Sequence, residues 1–235
     1  MTDHISLEEL YRQTVTFPGP AIPLSGLLAA LDTVEEELAH ARDQAAVRLR
    51  ARHQREAEFR HPEDLELDAY ELEVTTNQIL PRVFRGGFLL TLWSVFETVA
   101  KRMAEYVSTT RGLPTMQPQF RQPHFLKSLQ KVYTESLGIV AFPDATEYGE
   151  IDTLRQVRNA LIHHNGNVSA LPDSMRNLSQ EDLANLGLNV YSDLHETFFV
   201  PDAPFLTRSL SLVHGYLTSL SDRAYASAHP VPLVD

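Results

Sequence analysis

The chain contains no cysteine among its 235 residues. Disulfides and thiolate-bound metals are therefore excluded, and the redox compartment is left open. Lysine is almost as scarce: Lys101, Lys127 and Lys131 are the only three, so nearly all cationic charge is arginine. No uninterrupted run approaches the roughly 18 apolar residues of a membrane-spanning helix. The segment Met1–Leu10 is polar and acidic, without the apolar stretch of a secretory signal. No membrane association is expected, and the expected location is the cytoplasm. Phosphate-binding glycine loops are missing too, because Gly86-Gly87 has neither the lysine nor the preceding strand that such a loop requires. No Gly-x-Ser-x-Gly nucleophile elbow occurs. Neither a cofactor nor an internal repeat is indicated.

Positive charge is short overall, with 20 basic against 31 acidic residues and a net charge of −11. General adhesion to nucleic acid is thereby disfavoured, since phosphate neutralisation needs a basic footprint. The distribution is uneven. Residues 1–80 carry −9 and residues 166–235 carry −5, whereas residues 81–165 carry +3. A phosphate is locally acceptable over that middle segment, although the whole protein would not adhere to RNA.

The apolar periodicity is helical almost throughout. Ser6 and Glu9 form a capping box for a short helix at 6–16, which Phe17-Pro18-Gly19-Pro20 ends. From Pro23 to about Phe59, Leu24, Leu27, Leu31, Val34, Leu38, Ala41, Ala45 and Leu49 recur at three- and four-residue spacing. Arg48, Arg50, Arg52 and Arg55 near the end of this helix suit the negative end of its dipole, with RNA contact the sharper alternative. His61-Pro62-Glu63-Asp64 marks a break before an acidic helix at 65–79. Pro81 and Gly86-Gly87 then introduce a strongly apolar helix at 84–108, whose Phe88, Leu89, Leu92, Trp93, Phe96, Val99 and Met103 must be central core. Residues 111–122, rich in Pro and Gln, read as a loop. A helix follows at 123–137, bearing Lys127 and Lys131. After Gly166 come a loop, a short helix near 179–186 with Ser179 and Asp182 as capping box, and a small β-hairpin over 189–200. A last helix spans 202–225, and residues 226–235 form a loose tail. The expected fold is all-α: an N-terminal helical extension (1–80), a helical bundle (81–225) with one hairpin before its last helix, and the tail.

Residues 147–166 organise the functional reading. At about 100° per residue, Ile151, Leu154, Val157, Leu161 and Ile162 fill one apolar arc that ends at Gly166. Arg158 falls inside that arc. Asn159 and His163 share one shoulder of it, with Arg155 nearby. An unpaired buried guanidinium is prohibitively costly, so Arg158 must pair or face a ligand. Glu97, at the edge of the 84–108 stripe, has the matching problem, and an ion pair between Glu97 and Arg158 or Arg155 resolves both.

The run Arg158-Asn159-Ala160-Leu161-Ile162-His163 resembles the Arg-Asn-x-x-x-His signature of the HEPN superfamily. Those are small all-α domains, many of them metal-independent ribonucleases of bacterial defence and toxin–antitoxin systems. The resemblance covers about residues 80–225. It implies an RNA substrate, catalysis by Arg158, Asn159 and His163, and a homodimer that brings two copies of the set to one cleft. It also implies a possible antitoxin or regulatory protein as partner. Arg158 and His163 lie roughly 140° apart on one helix, which is why a single copy presents them poorly to one phosphate. Glu97 and Arg155 are supporting residues in this reading, and Lys127 and Lys131 are candidate RNA contacts. The plainer alternatives are a dipole-favoured His163 at a helix end and a purely structural Arg158. A metal cluster of His163, His164 and His195 is disfavoured, because adjacent helical residues diverge and no His-x-x-x-His spacing occurs. The competing function is a non-catalytic HEPN-like module that dimerises or binds a nucleotide or a protein.

Overall fold

In a computed structural model of the chain, the described residues are 17–56, 59, 61–120, 124–171, 173–191 and 197–230. They form an all-α fold with one two-stranded antiparallel sheet. Helix α1 (Ala21–Glu56) is followed by α2 (Pro62–Val74), which continues through a π-helical turn (Thr75–Ile79) into α3 (Leu80–Thr110). Next come α4 (Phe125–Lys131), with a second π turn (Val132–Ser136), and α5 (Ala145–His163). Helices α6 (Asp173–Arg176) and α7 (Gln180–Asn185) precede strands β1 (Asn189–Tyr191) and β2 (Thr197–Phe199), and α8 (Ala203–Ala228) closes the fold. The helix expected at 6–16 lies outside the described residues.

One expectation is corrected. Pro81 and Gly86-Gly87 do not separate two helices; the helix runs unbroken from α2 into α3. Proline lacks an N–H and its ring crowds the preceding turn, so an interior proline has to be accommodated. The π turn does this. Leu80 N–H bonds Thr75 O, five residues back, and the next bond of that pattern would need an N–H from Pro81 to Thr76 O. Arg42 of α1 supplies the missing donor instead, its Nε donating to Thr76 O at 2.9 Å. The helix also starts earlier than residue 65. Pro62 occupies its first turn, where a missing N–H is harmless, and the Asp64 carboxylate accepts from the His61 backbone N–H at 3.3 Å.

The chain divides into two compact units. The first comprises residues 97–143 with the described parts of 1–21 and 216–235. Its core holds Val99, Met103, Phe125, Leu129, Tyr133 and Leu220, all buried. The Tyr133 hydroxyl donates to Ala100 O at 2.8 Å, and burial pushes the phenol far above its ordinary pKa. Phe142 stacks on Tyr216 with ring centres 4.8 Å apart. The second unit comprises residues 22–96 and 144–215. Helix α1, expected within an extension ending at residue 80, groups here with α5.

Within the second unit, α1 runs antiparallel to the α2–α3 helix and is tied to it at three levels. Arg85 pairs with Glu35 through Nε (2.7 Å) and Nη2 (2.5 Å). Arg42 bonds Thr76 O, and Arg52 and His53 both reach the buried Asp68. The apolar seam of α1 is fully buried only at Leu24, Leu27, Leu31 and Leu38. Beyond Leu38 the polar ties take over, because Ala41, Ala45 and Leu49 are only half-buried. Of the arginines near the end of α1, Arg52 pairs with Asp68, Arg48 bonds Gln44 and Arg55 bonds the Ala51 carbonyl.

Most of the apolar positions expected for α3, α5 and α8 are buried, among them Leu92, Trp93, Phe96, Ile151, Val157, Leu206 and Val213, while Ile162, expected in the apolar arc of α5, is only half-buried. Among the described residues one helix (Glu63–Thr110) is, averaged over 18 residues, long and apolar enough to cross a membrane, with mean hydropathy 1.3. Of that 18-residue window 39% is buried inside the molecule, and Leu89, Leu92, Phe96 and Met103 of this helix are buried. Ser179 and Asp182 form their capping box on α7, and the hairpin pairs Val190 with Phe198. Helix α8 runs three residues past 225, and residues 231–235 lie outside the description.

Arg85 is 4% exposed and also donates Nη1 to Val200 O (3.2 Å) and Pro201 O. Removing it strands the Glu35 carboxylate and two carbonyls. Arg85→Ala is therefore expected to lower unfolding free energy by about 3–5 kcal/mol in urea titration. A loss under about 1 kcal/mol would contradict this role.

Candidate functional site

Helix α5 opens at Asp144, whose side chain accepts the Thr146 N–H at 2.8 Å, with Glu147 in the first turn to complement the dipole. Ile151, Leu154, Val157, Ala160 and Leu161 are its buried face. Its end is shaped by two left-handed residues, Asn165 (φ 56°) and Gly166 (φ 75°). The Gly166 N–H bonds Ala160 O at 2.9 Å, a Schellman-type closure. Glycine is required here for a second reason. A Cβ on residue 166 would sit 2.5 Å from Phe198 O. The Phe198 N–H donates to Gly166 O at 2.7 Å, and Asn167 bridges to Thr197, so strand β2 holds the turn directly after His163.

On this frame the signature residues take distinct positions. Arg158 is half-buried and its Nη1 donates to Asn159 Oδ1 at 2.8 Å. Asn159 is likewise half-buried, so the structure joins these two side chains directly. His163 and His164 are exposed at the last turn, and neither ring is held by a hydrogen bond among the described residues. A histidine so placed is accessible for proton transfer. Arg155 is engaged within its own helix, its Nε on Asp152 Oδ1 at 2.8 Å, while Gln156 takes the other carboxylate oxygen at 2.6 Å. The neighbouring Tyr148 has its pKa raised, first by burial and then by Asp152, with Arg155 opposing.

The other expected residues are placed as follows. Glu97 belongs to the first unit, where it opens the segment 97–143, and forms an ion pair with Lys101 one turn along α3 at 3.6 Å. Arg155 and Arg158 belong to the second unit. Lys127 and Lys131 are exposed on α4 of the first unit, and Lys101 lies over the Phe125 ring at 5.2 Å. Among the described residues no group of three or more His, Asp or Glu side chains is placed to hold a metal ion. His195 lies outside those residues.

Sequence reasoning missed Arg82. Its Nη2 donates to Asn165 Oδ1, 83 positions along the chain, which puts a guanidinium at the C-terminal end of α5. The available signal was that Arg82 opens the one net-positive third of the chain; its partner was not readable from spacing. A separate groove of about 920 Å³ runs along α5 and α8, lined by Leu154, Val157, Met175, Leu186, Phe205 and Leu212 with a polar margin at Thr153 and Arg208. Comparison with protein-family models, with curated proteins and with solved structures finds no match for this chain.

Gly166→Ala is expected to destabilise the protein by about 2 kcal/mol or more, because it adds left-handed strain to a collision with the Phe198 carbonyl. His163→Ala is expected to stay within about 0.5 kcal/mol of the parent, since the ring is exposed. Thermal unfolding of the two variants side by side checks both. Equal stability would refute the account of the turn.

Proposed function

We propose that the protein is a metal-independent endoribonuclease of HEPN type, acting on single-stranded RNA. The observation that supports this most is the ordered set at the end of α5: Arg158 bonded to Asn159, and His163 exposed one turn on. Arginine offers a planar donor fork that matches phosphate oxygens and is always charged. Histidine titrates near neutrality and suits transfer of a proton to or from a reacting oxygen.

In the proposed reaction the 2′-hydroxyl loses its proton and attacks the neighbouring phosphorus. The O2′–P bond forms, the P–O5′ bond breaks, and O5′ leaves with a proton. The products are a 2′,3′-cyclic phosphate and a 5′-hydroxyl, and no water is consumed in this step. His163 serves as the base or the acid. Arg158 carries the charge of the five-coordinate phosphate, and Asn159 orients Arg158 through their bond. Because Arg158 and His163 diverge by roughly 140°, two protomers are needed, meeting at the C-terminal end of α5 about a twofold axis. The resemblance to defence and toxin–antitoxin nucleases makes a guarding protein partner part of this proposal. Cytoplasmic location is part of it as well.

A second reading, a non-catalytic module that dimerises or binds a nucleotide or a protein, is favoured by the net charge of −11 and by the apolar groove beside α5.

Under the nuclease reading, purified protein cleaves single-stranded RNA in the presence of EDTA, and His163→Ala lowers the rate about 10²–10⁴-fold. A His163→Ala variant that cuts as fast as the parent would transfer support to the binding module. Light scattering is expected to show a dimer at micromolar concentration; a monomer would remove the basis for a shared cleft.

A further inference from the structure

We infer that Arg82 and Asn165 form a second phosphate subsite, which holds the phosphodiester next to the one cleaved. The inference rests on the nuclease reading and extends its substrate contacts beyond the signature residues.

Three observations carry it. First, the partner of Arg82 is neutral. Among the described residues its hydrogen bond goes to the neutral amide oxygen of Asn165 and no carboxylate is within ion-pair distance. Arg52, Arg85, Arg155 and Arg176 each have a carboxylate, whereas Arg42, Arg48, Arg111, Arg208 and Arg223, like Arg82, bond neutral acceptors; what sets Arg82 apart is its place at the end of α5. A guanidinium held by one neutral acceptor keeps donors for an anion. Second, Asn165 is exposed and sits in the left-handed region, which a non-glycine residue adopts at a cost. That backbone state is maintained by ties from two directions, Arg82 on its side chain and β2 on the adjoining Gly166 and Asn167. Third, the pair is built at the turn directly after His163, the last residue of α5, which is exposed together with His164. The result is a cation tied to Asn165, two residues after the proposed proton-transfer group.

A simple C-terminal helix cap is the competing explanation, because a cation there also favours the negative end of the dipole. The two differ in what Arg82→Gln does. Glutamine keeps an N–H donor for Asn165 but loses the charge, whereas Arg82→Lys keeps the charge.

The experiment is fluorescence anisotropy with a fluorescein-labelled single-stranded RNA of about ten nucleotides, over a salt series, in a His163→Ala background that prevents cutting. The expected result is that Arg82→Gln weakens binding roughly tenfold. The slope of log affinity against log salt should also fall by about 0.7, the increment for one single-strand phosphate contact. Arg82→Lys should retain the slope. If the background variant binds RNA and Arg82→Gln binds with the same affinity and slope, the subsite is overturned while the nuclease reading stands. If Arg82→Gln and Arg82→Lys both lose binding together with thermal stability, Arg82 is a structural cap and the subsite is overturned. If the background variant binds no RNA and the unaltered protein cuts none, the nuclease reading fails and the subsite falls with it.

Discussion

The Arg85 guanidinium is buried against four acceptors, two oxygens of Glu35 and the carbonyls of Val200 and Pro201. A charge so placed is tolerated only when it is fully bonded, so those acceptors are constrained to stay where they are. The consequences spread outward through the second unit. Glu35 registers α1 against α3, and the Arg42–Thr76 and Asp68 ties follow in the same antiparallel register. Val200 and Pro201 fix the exit of β2, and β2 holds Gly166 through Phe198. The orientation of His163 on the last turn of α5 is therefore coupled to a cation 78 positions earlier in the chain.

The same coupling explains the role of α1. Its second half has too little buried apolar surface to hold itself against α2, and three polar ties supplement it. Such ties specify register more than they add stability, because each carries a desolvation cost that offsets its attraction. The acidic character of residues 1–80 is partly spent this way, Glu35 and Asp68 each neutralising an arginine inside the unit.

Features that depend on near neighbours were legible in the sequence. The Ser179–Asp182 box, the hairpin flanks at Val190 and Phe198, the Gly166 stop and the α3 stripe each follow from spacing that local geometry enforces. Arg158 and Asn159 were also visible, although their mutual bond was not. What escaped is non-local. Nothing in spacing tells Arg85 to choose Glu35, or Arg82 to choose Asn165, since those partners are selected by the tertiary arrangement. Pro81 was misread for a related reason. Proline ends helices locally, but here a π turn and a donor from α1, 39 positions away, let the helix continue.

The central functional claim is that one cleft is completed by two protomers, Arg158 from one acting with His163 from the other. Mixing tests it without any knowledge of the natural RNA target. Arg158→Ala and His163→Ala protomers are each inactive in this account, while their heterodimer holds one intact cross-protomer pair. The measurement is cleavage of a labelled single-stranded RNA in EDTA by the two variants separately and after subunit exchange. The account predicts that activity reappears only on mixing. Heterodimers formed in quantity but as silent as their parents would contradict it.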